Sequence, residues 1–321
     1  MIGIFTVALA AGAASALMFA SISSGAAISI LLFYLAPLPI MVAALGWGPL
    51  AAAIGGVGAA SVLGAIFGLP YSIAFAMMVA VPGWWLGHLA LLGRPSATGD
   101  SATQQPPAFE WYPVGRILLW ITGFAIITTT AALLTLGTDT DTITGTLRRG
   151  LLRMLSAGEQ GQPSGEIERL VDVLVIFAPL AATVIAMVTL TLNLWLAGKI
   201  TQTSGRLNRP WPELRSTALP AMTLVALLVA TAFSFVGGML ALLAQIVTMA
   251  LVITYALVGF AVLHTLTLSL ANRGLWLGGI YAVVVMFGWP IIAIFALGIA
   301  DAVFGLRQRY LQTRPPPLPA E

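Results

Sequence analysis

The chain has 321 residues, 59% of them hydrophobic and only 8% charged, with a net charge of +3. A soluble domain carries about a quarter charged residues, so this composition excludes an ordinary globular surface and points to lipid as the solvent. Cysteine is absent and there are only two histidines, His88 and His264. Disulfides and thiolate sites are therefore excluded, two histidines are too few for a metal cage without carboxylate help, and neither a metal nor a cofactor is expected. The positive charge reflects scarce acids rather than abundant bases, so no nucleic-acid partner is implied.

No charged residue precedes Arg94. Glycine, proline and serine punctuate this opening block into stretches near the roughly 20 apolar residues that a bilayer core requires. The first predicted helix runs from about Gly3 to Ile22 and ends at Ser23-Ser24-Gly25. It has the small residues of a signal peptide but no basic start, which predicts a retained transmembrane helix. The second spans about Ala26 to Leu45 and contains Pro37 and Pro39; the third spans Pro49 to Phe67 and the fourth Tyr71 to Leu92.

A polar loop from Arg94 to Pro113 precedes a fifth helix at Val114 to Leu136. Within the polar stretch from Gly137 to Arg169, Leu147, Leu151, Met154 and Leu155 recur at helical spacing among Arg148, Arg149 and Arg153. That pattern predicts a short helix, either lying on the membrane surface or packed on the bundle. A sixth helix covers Leu170 to Leu196, and a basic loop from Lys199 to Arg215 is stiffened by Arg209-Pro210-Trp211-Pro212. A seventh spans Leu219 to Val236 and turns at Gly237-Gly238. The segment from Met239 to Ala271 is then either one tilted helix or a helix broken near Gly259. The last helix, Leu275 to Ala300, should kink at Pro290, and the tail with Pro315-Pro316-Pro317 should be disordered or polyproline-like.

The expected class is all-α, a polytopic transmembrane bundle of about nine helices, eight to ten. Four regions follow: a charge-free four-helix unit (1–92), helices five and six with polar loops (93–216), C-terminal membrane helices (217–311) and a Pro-rich tail (312–321). Basic residues in the Lys199–Arg215 loop and the tail favour the cytoplasmic side for both.

All eleven Asp and Glu fall in loops, at helix ends or in the tail. Ion-coupled transporters place acids within the bilayer, where a charge persists only for function, so coupling through a buried carboxylate is not expected. No Gly-Lys-Ser or Gly-Lys-Thr phosphate loop exists, and no catalytic constellation is visible. Several features can carry function. Ala8, Gly12, Ala16 and Ala20 recur every fourth residue and suit either docking of another membrane protein or packing within the bundle. Ala52, Gly56, Ala60, Gly64 and Gly68 form a second such stripe. Pro37 and Pro39 mark either a kink or a broken helix of the kind that binds substrate. Trp84 and His88, one turn apart, can line a pocket or join an interfacial aromatic belt. Gln245, Thr248 and Tyr255 share a face with Gly259 that can line a polar cavity, from which His264 points away. Asn193 is a further buried-polar candidate.

The run Leu35-Ala-Pro-Leu-Pro-Ile40 followed by Gly46-Trp47-Gly48 resembles the N-terminal signature of the YybS-like family of predicted membrane proteins. Tyr281, the Leu297-Gly298-Ile-Ala-Asp301 run and Arg307-Gln-Arg309 are similar to that family's closing pattern. The resemblance implies a multi-pass protein of the bacterial inner membrane, distantly similar to the substrate-binding S components of energy-coupling-factor transporters. In those, small residues on the first helix dock a coupling subunit. The leading expectation is a small-molecule binding or uptake component. The alternatives are a non-transporting scaffold or regulatory protein and, third, a membrane-embedded enzyme.

Overall fold

The computed structural model describes residues 2–95, 109–156, 165–212 and 217–312. The chain divides into two compact units, Met1–Pro212 and Glu213–Glu321. Among the described residues seven helices are long and apolar enough to cross a membrane, or eight if one bent pair is counted as a span. The protein is an all-α, multi-pass membrane protein. The shorter apolar helices Met222–Phe233 and Arg273–Phe287 account for the remaining helices expected from sequence.

The first unit opens with α1 (Ile2–Ala20), closed by a 3-10 turn and by Gly25 in the left-handed region. The second span consists of α2 (Ala27–Leu35) and α3 (Pro37–Trp47), separated at Ala36. Pro37 and Pro39 have no N–H to offer the carbonyls of Phe33 and Leu35, so the helical ladder fails at mid-span. The third span is α4 (Pro49–Phe67), flanked by Gly48 and Gly68, both at positive φ that an L side chain resists. The fourth span is α5 (Leu69–Phe75) and α6 (Val81–Leu91), joined by a π-helical turn at Ala76–Ala80. Pro82 follows at once, and the widened turn accommodates a ring that would otherwise strike the carbonyl of Met78.

Small residues set how closely these helices pack. A Cβ on Gly12 would collide with the carbonyl of Gly55 on α4, and one on Gly55 with the carbonyl of Ala8. Ala8, Gly12 and Ala16 are buried within the unit. The docking expectation for the Ala8, Gly12, Ala16 and Ala20 stripe therefore gives way to packing: its central residues are covered by the chain's own α4, so they offer no face to another protein. The second stripe behaves likewise, with Gly56 against Ala80 and Gly64 against Ser72.

A two-stranded ribbon, β1 (Gly93–Pro95) and β2 (Phe109–Trp111), joins the fourth span to α7 (Val114–Leu134). The amphipathic α8 (Thr140–Leu155) is capped by Asp139 and packs on α9 (Gly165–Thr203). Its Ile143 is fully buried whereas Met154 is 77% exposed, and Arg148 pairs with Asp172 of α9. The expected sixth helix is thus longer at both ends: α9 has 39 residues, about 58 Å at 1.5 Å per residue, well beyond a bilayer core of about 30 Å. Lys199, expected in a loop, lies within it.

The loop after α9 folds back onto this unit. Arg209 donates to the carbonyls of Ala90 and Tyr112, each at 3.0 Å, and burial pulls its guanidinium down from the ordinary arginine pKa. Arg206 lies over the Trp47 ring and Lys199 over Trp211. The loops after the fourth and sixth spans therefore share one membrane face.

The second unit departs more from expectation. The expected seventh helix shrinks to α10 (Met222–Phe233), because Pro220 delays its start. The segment that was open between one helix and two is a single helix, α11 (Gly238–Leu266), unbroken at Gly259. The expected last helix is two, α12 (Arg273–Phe287) and α13 (Ile291–Phe304), separated by Gly288-Trp289-Pro290 with Gly288 at φ 70°. A kink at Pro290 thus becomes a full break, since a left-handed glycine and a proline coincide. Gly259 and Gly298 let α11 and α13 touch by backbone, each facing a carbonyl of the partner helix, those of Ile294 and Tyr255. The short α14 (Leu306–Gln312) bends 68° from α13. From residue 313 onward, the tail expected to be polyproline-like lies outside the described residues.

Candidate ligand cavity

The two broken spans of the first unit face the same void. A cavity of about 410 Å³ lies beside Tyr34 and Pro37 at the α2–α3 break and Met78 and Val79 in the π turn. Both breaks stand near the middle of their spans, Ala27–Trp47 and Leu69–Leu91, so the cavity sits near the bilayer midplane. Its opposite wall is α9, where Ala178, Ala181, Ala182 and Ala186 present one small-residue face. Alanines at this spacing lie along one side of a helix and leave room that larger residues would fill. Thr128 of α7 completes the lining, with its hydroxyl turned back to the carbonyl of Phe124 at 2.8 Å.

Phe19 and Phe33 form the aromatic end of the cavity, stacked with centroids 5.1 Å apart. Phe19 also makes edge contacts with Tyr71 and Phe75 at 5.2 and 5.4 Å. These rings tie α1, α2 and α5 together and fix the cavity's shape.

Asn193 holds the open helix in place. Its amide donates to the carbonyl of Tyr34 at 2.8 Å and to that of Thr189 at 2.7 Å. Both acceptor residues line the cavity. The residue is 1% exposed and its Oδ1 has no partner among the described residues, so Asn193 braces the wall from behind.

The rim residues Tyr34, Met78 and Ile185 are 36%, 40% and 43% exposed. The mouth therefore opens on the flank of the unit, where hydrocarbon would lie. Among the described residues, no charged side chain and no histidine lines the cavity. What fits such a space is an uncharged, largely apolar molecule, and cavities of this size suit small ligands.

Of the sequence candidates, Pro37 lines the cavity, Asn193 supports it, and Pro39, two residues on, is partly buried without lining it. Trp84 packs on the same apolar core, stacked with His88 at 6.5 Å. Neither lines the cavity. Gln245, Thr248 and Tyr255 belong to the other unit. Thr248 and Tyr255 face α10, through the Ser234 hydroxyl at 3.4 Å and the Thr223 hydroxyl at 2.9 Å. Tyr255 also borders a polar cavity near α14, whereas Gln245 and Thr248 do not. His264 bonds Tyr281 and accepts from Arg273.

Sequence reasoning missed the α9 wall. Its signal was present in Ala178, Ala181, Ala182 and Ala186, a small-residue stripe in the sixth helix. Among the described residues no group of three His, Asp or Glu can hold a metal ion.

Comparison with known proteins finds no family model that matches the chain, no matching curated protein and no matching solved structure.

Proposed function

We propose that this protein binds an apolar small molecule that it takes from the bilayer, as the binding component of an uptake system. The single observation behind this reading is the midplane cavity at two coincident helix breaks. Discontinuous helices are kept at membrane depth where they border a cavity, and transporter sites occur near the midplane at such breaks. An alanine wall on α9 gives the ligand room, and a flank-facing mouth gives lateral access.

The resemblance to the YybS-like family, with its kinship to transporter S components and its bacterial inner-membrane setting, supports the same reading. Energy for uptake would come from other chains, since no phosphate-binding loop or midplane carboxylate is available in the sequence. The α1 stripe packs against α4, so it supports neither the docking of a coupling subunit nor the scaffold alternative. Organic extraction of the purified full-length protein tests the proposal. It should release one apolar compound in near-stoichiometric amount, and an extract holding only bulk lipid speaks against it.

A further inference from the structure

We propose that the second unit carries a site for the phosphate of an anionic phospholipid headgroup, in the cavity beside the α13–α14 bend. This inference concerns a different unit and does not depend on the apolar ligand proposed above. The cavity measures about 630 Å³. Tyr255, Asp301, Arg307, Gln308 and Arg309 give it polar walls, in contrast to the apolar cavity of the first unit.

The bend is built by a buried ion pair. Arg307 donates through Nη2 and Nε to one Asp301 oxygen at 2.7 and 2.9 Å, and through its backbone N–H to the other at 2.9 Å. Both side chains are under 10% exposed. A buried pair with this geometry neutralises itself. Arg309 is exposed and makes no ion pair among the described residues, so it gives the described lining one net positive charge. One positive charge with the Gln308 amide beside it suits a phosphodiester monoanion.

The surroundings favour a lipid as the source of that phosphate. Val303 and Phe304, which also border the cavity, are 54% and 57% exposed. They sit at the end of an apolar membrane helix, one turn from Gln308 and Arg309. A polar pocket that continues into exposed apolar surface matches an amphiphile: headgroup against Arg309, acyl chains along Val303 and Phe304. Basic pockets at membrane faces bind anionic headgroups in this way.

Native mass spectrometry of the full chain, titrated separately with phosphatidylglycerol, phosphatidylcholine and inorganic phosphate, tests the assignment. Phosphatidylglycerol should bind in preference to phosphatidylcholine. Arg309→Gln should weaken that binding roughly tenfold, the scale of one charge-assisted contact, while Arg309→Lys keeps part of it. Arg309 is exposed, so folding should survive, and unchanged thermal unfolding verifies this. Arg153→Gln, on exposed α8, should leave binding intact. Equal retention of both lipids, or undiminished binding by Arg309→Gln, overturns the proposal. Displacement of the lipid by millimolar inorganic phosphate overturns the lipid as the source.

Discussion

The side-chain amide of Asn193 donates to the backbone carbonyl of Tyr34, across 159 residues of sequence, at 2.8 Å. The carbonyl belongs to the turn of helix that Pro37 and Pro39 interrupt. Pro37 and Pro39 withhold donors from the adjacent carbonyls of Phe33 and Leu35, and α9 reaches over to tie the same turn down through Tyr34. The broken span is thus held open by design of the side chains around it.

Replacing Asn193 with the similarly shaped Leu removes this donor and leaves the carbonyl in apolar surroundings. Interhelical hydrogen bonds in membranes are worth about 1 kcal/mol, so Asn193→Leu should lower the thermal midpoint measurably without unfolding the protein. Asn193→Asp offers at most one donor, and only when protonated, in place of the two that the amide uses, so it should also lower the midpoint. An unchanged midpoint for both variants would show that the bond is incidental.

Glycine substitutions should divide sharply by position. At Gly12, Gly55, Gly259 and Gly298 a Cβ would meet the backbone of a facing helix. Backbone cannot swing aside as a flexible side chain can, so Gly298→Ala or Gly12→Ala should cost about 1–3 kcal/mol through overpacking. Gly278→Ala meets nothing within 4 Å and should be neutral or stabilising by up to about 1 kcal/mol, as alanine favours helix. Thermal unfolding of the variants in one detergent checks the contrast.

The α8 cap carries a pH dependence. Hydrogen bonds from the Thr142 side chain and backbone hold the Asp139 carboxyl below its ordinary pKa. A depressed carboxyl stabilises the fold above its unfolded pKa, and that contribution is lost as pH falls through the folded one. Amide exchange at Thr142 and Ile143 should therefore accelerate on acidification below the usual carboxylate range. Asp139→Ala should exchange fast at every pH, and a variant that keeps the wild-type acid transition would refute the capping role.

Much of the fold was legible because the bilayer imposes length and composition on each helix. Gly25, Gly48 and Gly68 marked the turns of the first unit almost to the residue, since each adopts a φ that other residues resist. Pro37 and Pro39 pointed to the break in the second span. What sequence could not show is which faces meet. The Ala8 stripe reads the same whether it packs on α4 or docks a partner, and only the contact with Gly55 decides. Asp301 and Arg307 were legible as charges near a boundary, but not as a pair, because the left-handed Gly305 between them sets the bend. The α9 alanines stayed hidden for a related reason: a stripe signals room only once the opposite wall is known.

The account turns on an apolar ligand in the first-unit cavity. Native mass spectrometry of gently solubilised wild-type protein beside Ala182→Trp tests it most directly, since the indole would fill the space between α9 and the α2–α3 break. The wild type should carry one bound apolar molecule that resists lipid exchange, and Ala182→Trp, equally folded, should lack it. A bare wild type, or a tryptophan variant that keeps the same bound mass, would contradict the account.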